Sequence, residues 1–413
     1  MALSIKALNN DTSFLLTFAP SITPSDVKTP ELFPGAYTIL IDPWLSGPAT
    51  ILSQKFSVQE HTSPSCIESL RDLPEPDMVL ISQDKPDHCH EETLCQLSPH
   101  VRSIILGPSK ACKKIRGWRH FDLGCVQCLK PYNPRDPTTV FRLEIPPFSA
   151  NGTPGELTVC LLEPKRDLSG LHNAIGLTYR PPSSVLSVNL NSYKNLAPPS
   201  SSPTTATGIS PPSPVDSPTS PTSNPPLPPP PSSDTLSDPR PKTPKFVSAT
   251  ANTIVPSPNP STRQTEKTLS VLYTPHGVPY AALEPWATAH LVTLAALPPT
   301  LFLHGFNAVE APWYLGGNMM AGLPGGLEIV RKLLPRVWVG VHDEEKKLRG
   351  AMAGTVRKTG FGLEEVEKRV GEALGGEGKG GKRVTEVVRL ESGKEMRLGF
   401  KELGEVDGRV KVL

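Results

Sequence analysis

Residues 181–268 form a segment in which proline, serine and threonine dominate, and this segment limits how the rest of the chain can fold. It includes the run PPLPPPP at 225–231. Such a composition cannot bury enough apolar surface to offset the entropy lost on ordering, and proline-rich sequence favours polyproline II conformations. We therefore predict a disordered insertion at 181–268, with residues 1–180 and 269–413 forming the two parts of one domain.

Charge and hydropathy exclude several classes of protein. The 413 residues carry 42 basic and 40 acidic side chains, a net charge of +2, which argues against a nucleic-acid partner bound through bulk charge. There is no apolar run of about 18 residues, so no membrane span is expected. The start, MALSIKALNNDTSFLLTF, lacks the basic and apolar regions of a signal peptide. We expect a cytoplasmic location, and the seven irregularly spaced cysteines fit reduced thiols.

Short apolar runs alternate with helix signals along both ordered segments. Two alternating runs around the turn cluster at 9–11 predict an N-terminal hairpin. Strands followed by short helices are typical of an α/β fold. The predicted strands include 37–41, 78–81, 103–106, 157–162, 174–179, 270–273, 300–303 and 337–341, and the predicted helices are 110–116, 286–297, 325–334 and 363–374.

Polar side chains follow several of these strands. They are Asp42, the group Asp87, His88 and His90, then His276, and finally the pair His342 and Asp343. In α/β folds the loops at the carboxyl ends of strands are where ligands bind. Imidazole and carboxylate groups together suit zinc or a similar divalent metal. A single histidine of this kind is more often structural. Several such residues, each just after a predicted strand, favour one shared site.

The order of these motifs resembles that of the metallo-β-lactamase fold superfamily. The shared features are the hairpin, IDPWL at 41–45, DH at 87–88, LYTPHG at 272–277 and HDE at 342–344. The similarity is greatest to the branch with L-ascorbate-6-phosphate lactonase-like and N-acyl-phosphatidylethanolamine phospholipase D-like hydrolases. The resemblance implies an αββα four-layer sandwich, two mixed sheets facing each other with helices outside, and metal-dependent hydrolysis of a small-molecule substrate.

The metal-binding motif departs from the family pattern only at the positions that bind the first of the two metals. The family carries HxHxDH, whereas this chain has QDKPDH at 83–88, and no histidine occurs at 145–152, where a further ligand of the first metal usually lies. The family's bridging aspartate falls at His276, and its last histidine matches His342. The resemblance therefore implies one zinc or other divalent ion per chain, with Asp87, His88, His276 and His342 as ligands. The ammonium of Lys85 is expected to replace the second cation, and Asp42 to orient a ligand.

Two functions remain open at this point. In a mononuclear hydrolase the metal lowers the pKa of water, and Asp87 or Asp343 accepts the proton. Four protein ligands, however, close a tetrahedral zinc site, whereas catalytic zinc keeps one position open. The alternative is a catalytically lapsed protein that keeps the fold and binds a protein partner through the proline-rich insertion. Cys89 is a minor candidate for a redox role, and His90 either orients a ligand or faces solvent.

Overall fold

The computed structural model describes residues 2–19, 31, 35–147, 153–165, 167, 170–182, 268–315, 317–375, 385–399 and 411–412. The predicted insertion lies almost entirely outside the described residues. The apolar pattern at 185–190, which predicts a further strand, also lies outside them.

The described strands agree with most of the apolar runs in the sequence. In chain order they are β1 Ala2–Ala7, β2 Phe14–Ala19, β3 Tyr37–Ile41, β4 Ala49–Ile51, β5 Ser57–Glu60, β6 Met78–Leu80, β7 Ile104–Pro108, β8 Val126–Leu129, β9 Val140–Ile145, β10 Gly155–Leu162, β11 Ala174–Arg180, β12 Leu269–Thr274, β13 Leu301–His304, β14 Ala308–Glu310, β15 Asn318–Met320, β16 Val337–Gly340, β17 Lys347–Arg349, β18 Arg357–Thr359, β19 Glu386–Arg389, β20 Glu395–Gly399 and β21 Lys411–Val412.

The described residues form five helices. They are α1 Glu91–Leu94, α2 Ser109–Gly117, α3 Tyr280–Pro285 continued by a π-helical turn at Trp286–Leu291, α4 Gly322–Leu333 and α5 Leu363–Ala373. Single 3₁₀ turns lie at Leu70–Asp72, Pro137–Thr139, Trp313–Leu315 and Ala351–Gly354. Among the described residues, none of these helices combines the length and the hydropathy needed to cross a bilayer.

The chain has a mixed α/β fold with several sheets. The first large sheet has the order β21-β20-β1-β2-β3-β6-β7-β8. β1, β2 and β3 pair antiparallel, as predicted for the hairpin, whereas β3, β6, β7 and β8 run parallel. The carboxyl ends of β3 and β6 therefore meet at one edge, which brings Asp42 next to the loop at 82–90.

The second large sheet has the order β19-β16-β13-β12-β11-β10-β9. β11 pairs antiparallel with β12, so the chain segments before and after the insertion share this sheet. β12, β13, β16 and β19 run parallel. Their carboxyl ends form one edge, at which the loops carrying His276 and His342 begin.

One hydrophobic core contains side chains from both large sheets. It includes Ile5, Leu16 and Ile39 of the first sheet together with Val159 and Leu177 of the second. Because successive strand residues point to opposite faces, the neighbours of these residues enter other clusters. The first sheet packs its other face on α2, and the second sheet packs its other face on α3, α4 and α5. Burial on both faces explains why these strands are continuously apolar.

We predict that the insertion can be shortened without loss of stability. Tyr179 and Leu269 are register partners in β11 and β12, so the chain leaves and re-enters the sheet at neighbouring positions. Loop-closure entropy grows only with the logarithm of loop length. Replacing 183–266 by a short glycine-serine linker should keep the Tm within about 3 °C, measured by scanning calorimetry. Loss of a cooperative transition would contradict this.

Two small sheets were not predicted from the sequence. One has the order β17-β5-β4 and the other β15-β14-β18. β5 pairs with β17, far along the chain, so no local pattern marks this pairing. The contact brings the 57–60 strand against the segment that follows His342.

Candidate metal centre

Four residues from three separate loops converge at the sheet edges. Asp87, His88, His276 and His342 are all buried, and one possible ligand atom from each lies within 4.8 Å of the others. The structure thus brings together the four residues that the resemblance implied as ligands. This buried group of one carboxylate and three imidazoles could hold a metal ion.

The loop after β6 carries Asp87 and His88 and is held from both sides. The backbone carbonyl of Lys85 accepts hydrogen bonds from the amides of His88 (3.0 Å) and Cys89 (2.7 Å). The ammonium of Lys114 on α2 donates to the carbonyls of Asp84 (3.0 Å) and Cys89 (3.1 Å). These bonds satisfy the carbonyls of an irregular buried segment and fix the direction of the ligand side chains.

Asp42 determines which nitrogen of His88 faces the centre. Nδ1 of His88 lies 2.7 Å from Oδ2 of Asp42, and a carboxylate only accepts, so Nδ1 donates its proton. The lone pair of Nε2 therefore faces the other ligands. Asp42 is itself held by the amide (2.7 Å) and hydroxyl (2.5 Å) of Ser82 and by the Tyr273 hydroxyl (2.6 Å). Carboxylates commonly orient metal-binding histidines in this way.

His276 is oriented by a backbone group instead. Its Nδ1 donates to the carbonyl of Met319 at 2.9 Å, which directs Nε2 to the centre, 3.0 Å from Nε2 of His88. Burial, together with His342 and His88, holds the pKa of His276 well below its usual value. Burial opposes a charge on His88, but Asp87 and Asp42 outweigh it and raise that pKa. Two lone pairs cannot face each other at 3.0 Å, so the contact between Nε2 of His88 and Nε2 of His276 requires either a proton on His88 or a cation between the two rings.

His342 is bound twice by Asp11, in the turn between β1 and β2. The His342 amide donates to the Asp11 carbonyl (2.8 Å), and its Nδ1 lies 2.9 Å from Oδ1 of Asp11. Nε2 is thereby directed at Asp87, 3.7 Å from Oδ2. His342 and Asp42 both have positive φ, +61° and +39°. Non-glycine residues adopt such strained backbone only where surrounding contacts hold them, and these residues are often functional.

Asp87 provides the charge at the middle of the group. Its Oδ2 lies 3.8 Å from Nε2 of His88 and 3.8 Å from Nζ of Lys346. Burial raises the pKa of Asp87, but His88, Lys346, His342 and His276 outweigh it and hold that pKa well below the usual range. Within the part of the chain that the structure describes, its buried Oδ1 has no hydrogen-bond partner. An ionised oxygen without a donor is suited to a cation.

The formal charge of the centre matches a divalent ion. Three buried carboxylates belong to this centre: Asp42 contacts His88, Asp11 contacts His342, and Asp87 is itself a candidate ligand. The ammonium of Lys346 contacts Asp11 at 2.8 Å and Asp87 at 3.8 Å. With neutral imidazoles these groups carry a formal charge of −2. Burying uncompensated charge is costly, and one divalent cation would neutralise it. The residues present therefore fit the metal that the resemblance implied.

Asp343 lies outside this group. Its carboxylate accepts hydrogen bonds from the amides of Phe306 (2.9 Å) and Asn307 (2.7 Å), in the loop after β13. Burial is the largest influence on this carboxyl and raises its pKa to about 6, although the two amides oppose the shift. The contacts tie the end of β16 to the neighbouring strand and so help to place His342.

Other predicted residues have local roles. His90 caps α1 by accepting from the amide of Thr93. Burial raises the pKa of Cys89 to about 12, which argues against a reactive thiolate there. The ammonium of Lys85 lies 3.6 Å from Oδ1 of Asp84. The ammonium in contact with the ligand group is that of Lys346, so the structure differs here from the expectation for Lys85.

Sequence reasoning missed Asp11 and Lys346. Asp11 stands in the hairpin turn NND at 9–11, where aspartate is common for conformational reasons. Lys346 belongs to the charged run DEEKK at 343–347, which is typical of a solvent-facing surface. Neither position has a local signal that separates it from these ordinary uses. The contacts of both residues with His342 become visible only in the folded structure.

A cavity of about 300 Å³ lies beside the centre, but none of the four candidate ligands lines it. Its walls include Asp84, Lys110, Glu163 and Asn173. Asn173 also donates to the carbonyl of Ser82 (3.1 Å), which connects the cavity wall to the support of Asp42. The ligands themselves are 0–7% exposed.

Comparisons with known proteins leave the family open. The sequence matches no protein-family model and no curated protein. Among solved structures it is similar to the isothiocyanate hydrolase from Delia radicum gut bacteria, with a TM-score of 0.43 and 13% identity, over 95% of this chain and 98% of that chain. A similarity at this level carries no argument about activity.

We predict that Asp42→Asn weakens metal binding about 10–100-fold, the usual effect of removing a carboxylate behind a ligating histidine. An asparagine amide would face the donors that Asp42 accepts from, so His88 would lose its fixed orientation. Competition with a chromophoric zinc chelator measures the change. Asp77→Asn is the matched control, because Asp77 accepts from Thr38 at the opposite end of β6. Equal zinc affinities of Asp42→Asn and Asp77→Asn would contradict the role of Asp42 in orienting His88.

Proposed function

We propose that the protein is a metal-dependent hydrolase with one zinc or other divalent ion per chain. The proposal includes the metallo-β-lactamase-like αββα sandwich, built by residues 1–180 and 269–413 around the 181–268 insertion. The observation that carries it is the convergence of Asp87, His88, His276 and His342 in a buried centre with a formal charge of −2. The core shared by two sheets, with helices on their other faces, supports the sandwich.

The residues of the chain prepare the centre for this chemistry. Asp42, the Met319 carbonyl and Asp11 hold the Nδ1 protons of the three histidines, so that each Nε2 presents a lone pair. Asp87 is ionised, because His88, Lys346 and the other two imidazoles outweigh burial and hold its pKa low. A divalent ion bound there would act as a Lewis acid and lower the pKa of water. Burial of the ligands excludes bulk solvent and strengthens these interactions.

The proton acceptor stays a prediction, with Asp87 and Asp343 as candidates. A low pKa makes Asp87 a good ligand and a weak base. Asp343, with a pKa of about 6, is closer to the value that favours general-base catalysis near neutral pH. Its oxygens, however, already accept backbone hydrogen bonds, which leaves fewer lone pairs to accept a substrate proton.

A second candidate is a catalytically lapsed protein with a structural metal. The specific observation in its favour is that four protein ligands are available, at most 7% exposed, and separate from the neighbouring cavity. Structural zinc sites are closed in this way, whereas catalytic sites keep a position open. In this alternative the fold would serve to bind a protein partner.

Elemental analysis and a substrate panel test the two candidates. We expect about one divalent ion per chain in the purified full-length protein, and hydrolysis of at least one phosphoester, lactone or thioester that is lost on chelation and restored by zinc. Metal at one equivalent with no hydrolysis of any substrate would favour the lapsed protein. A chain that binds no divalent ion would contradict both.

A further inference from the structure

The ammonium of Lys346 is built into the candidate centre. Nζ lies 2.8 Å from Oδ2 of Asp11, 3.1 Å from Nδ1 of His342 and 3.8 Å from Oδ2 of Asp87. The side chain is 11% exposed, and Nζ lies 5.2 Å from the centre of the Trp44 ring. It therefore contacts two candidate ligands, His342 and Asp87, and also the carboxylate of Asp11 that orients His342.

The position of this ammonium has two electrostatic consequences. Nδ1 of His342 donates to Asp11, so it cannot also accept from Lys346, and the ammonium forms an ion pair with Oδ2 of Asp11. This ion pair holds the carboxylate that orients His342. At the same time a positive charge stands a few ångströms from the ligand atoms, where it repels any metal ion. Charges at such distances interact by several kcal/mol even at the effective dielectric constant of about 20 that applies near protein surfaces.

We infer that Lys346 is a positioning residue that serves as the second cation of the centre, so that a single divalent ion completes its charge. The inference rests on the metal site of the proposed function. It assigns to Lys346 the role that the sequence suggested for Lys85. Without this ammonium the buried carboxylates would carry a formal charge of −3, and a divalent ion would be bound more tightly.

The direction in which metal affinity changes when Lys346 is replaced separates an electrostatic role from a merely structural one. A side chain that only held Asp11 in place would weaken metal binding when removed. A built-in cation that competes with the metal would strengthen binding when removed. Lys346→Gln is the informative variant, since glutamine can still donate a hydrogen bond to Asp11 but has no charge.

The experiment uses the full chain stripped of metal and titrated with Zn²⁺ against a chromophoric chelator. We expect Lys346→Gln to bind zinc at least about tenfold more tightly than the wild type, still at one ion per chain. Lys346→Arg, which keeps the charge, should stay within about threefold of the wild type. The matched control is Lys347→Met, because Lys347 is the exposed next residue and should leave the affinity unchanged.

Thermal unfolding provides a second readout. Stripped Lys346→Gln is expected to have a lower Tm than the stripped wild type, because its carboxylates are less compensated, and to gain more in Tm when zinc is added. Should the stripped variant fail to fold, zinc should restore a cooperative transition. A variant that stays unfolded in excess zinc would overturn the inference.

The outcomes also separate this inference from the proposed function. A wild-type chain that binds one zinc, with equal or weaker binding by Lys346→Gln, overturns the inference alone. A wild-type chain that binds no zinc, copper, manganese or iron removes the metal centre and the inference with it. Tighter binding by Lys346→Gln and unchanged binding by Lys347→Met support the assignment.

Discussion

Replacing His276 with alanine is expected to reduce the metal content of the purified protein from about one divalent ion per chain to nearly none. Structural zinc sites with a complete ligand set bind with about 10–16 kcal/mol. If the four ligands contribute comparable amounts, loss of one costs about 2.5–4 kcal/mol, which corresponds to an affinity lower by roughly 70-fold or more. The alanine also leaves Nε2 of His88 without the neighbour that lies 3.0 Å away.

Elemental analysis after dialysis against a weak chelator measures this loss. His100→Ala is the matched control, because the His100 side chain is 82% exposed and pairs only with the similarly exposed Asp122 among the ion pairs of the described residues. The control should keep its metal. The assignment of His276 would be wrong if both variants retained the same metal content and both unfolded at the wild-type temperature.

Gly326→Ala is expected to destabilise the fold by about 3 kcal/mol, which lowers the Tm by roughly 4–6 °C in a domain of this size. Gly326 lies inside α4, and a methyl group there would meet Cη2 of Trp338 at 2.2 Å and Cδ2 of His304 at 2.8 Å. The indole has little freedom to move, because it is buried and its Nε1 donates to the His304 carbonyl at 2.9 Å. The glycine thus allows α4 to approach the second sheet closely.

Gly371→Ala is the matched control for this effect. Gly371 lies inside α5, and no heavy atom stands within 4 Å of the added methyl group. Alanine is preferred over glycine in helices, so this variant should gain about 0.5–1 kcal/mol. Chemical denaturation of both variants measures the two changes. A similar gain in both would show that α4 does not pack on Trp338 as described.

Much of the fold followed from local patterns. The apolar runs at 37–41, 174–179 and 270–273 coincide with β3, β11 and β12 to within one residue at each end. These strands are buried on both faces, so a continuous apolar run marks them clearly. β11 and β12, which stand on either side of 181–268, pair with each other in the second sheet.

The candidate ligands could be proposed for a related reason. Asp87, His88, His276 and His342 each follow a strand, and parallel strands end at a common edge of the sheet. The groups that orient them could not be proposed in the same way. Asp11 and His342 are 331 positions apart, and Asp42 and Tyr273 are 231 apart. Nothing in a local sequence window connects residues at such separations.

The sequence by itself determined which segments become buried strands, where the chain is interrupted, and which imidazoles and carboxylates stand at strand ends. These properties are local, since they depend on the periodicity of apolar residues and on composition. Only the tertiary structure decided that Lys346 and not Lys85 supplies the ammonium, and which nitrogen of each histidine faces the centre. Those outcomes depend on how two sheets pack through a common core, because that packing sets the distances between loops that are remote in the chain.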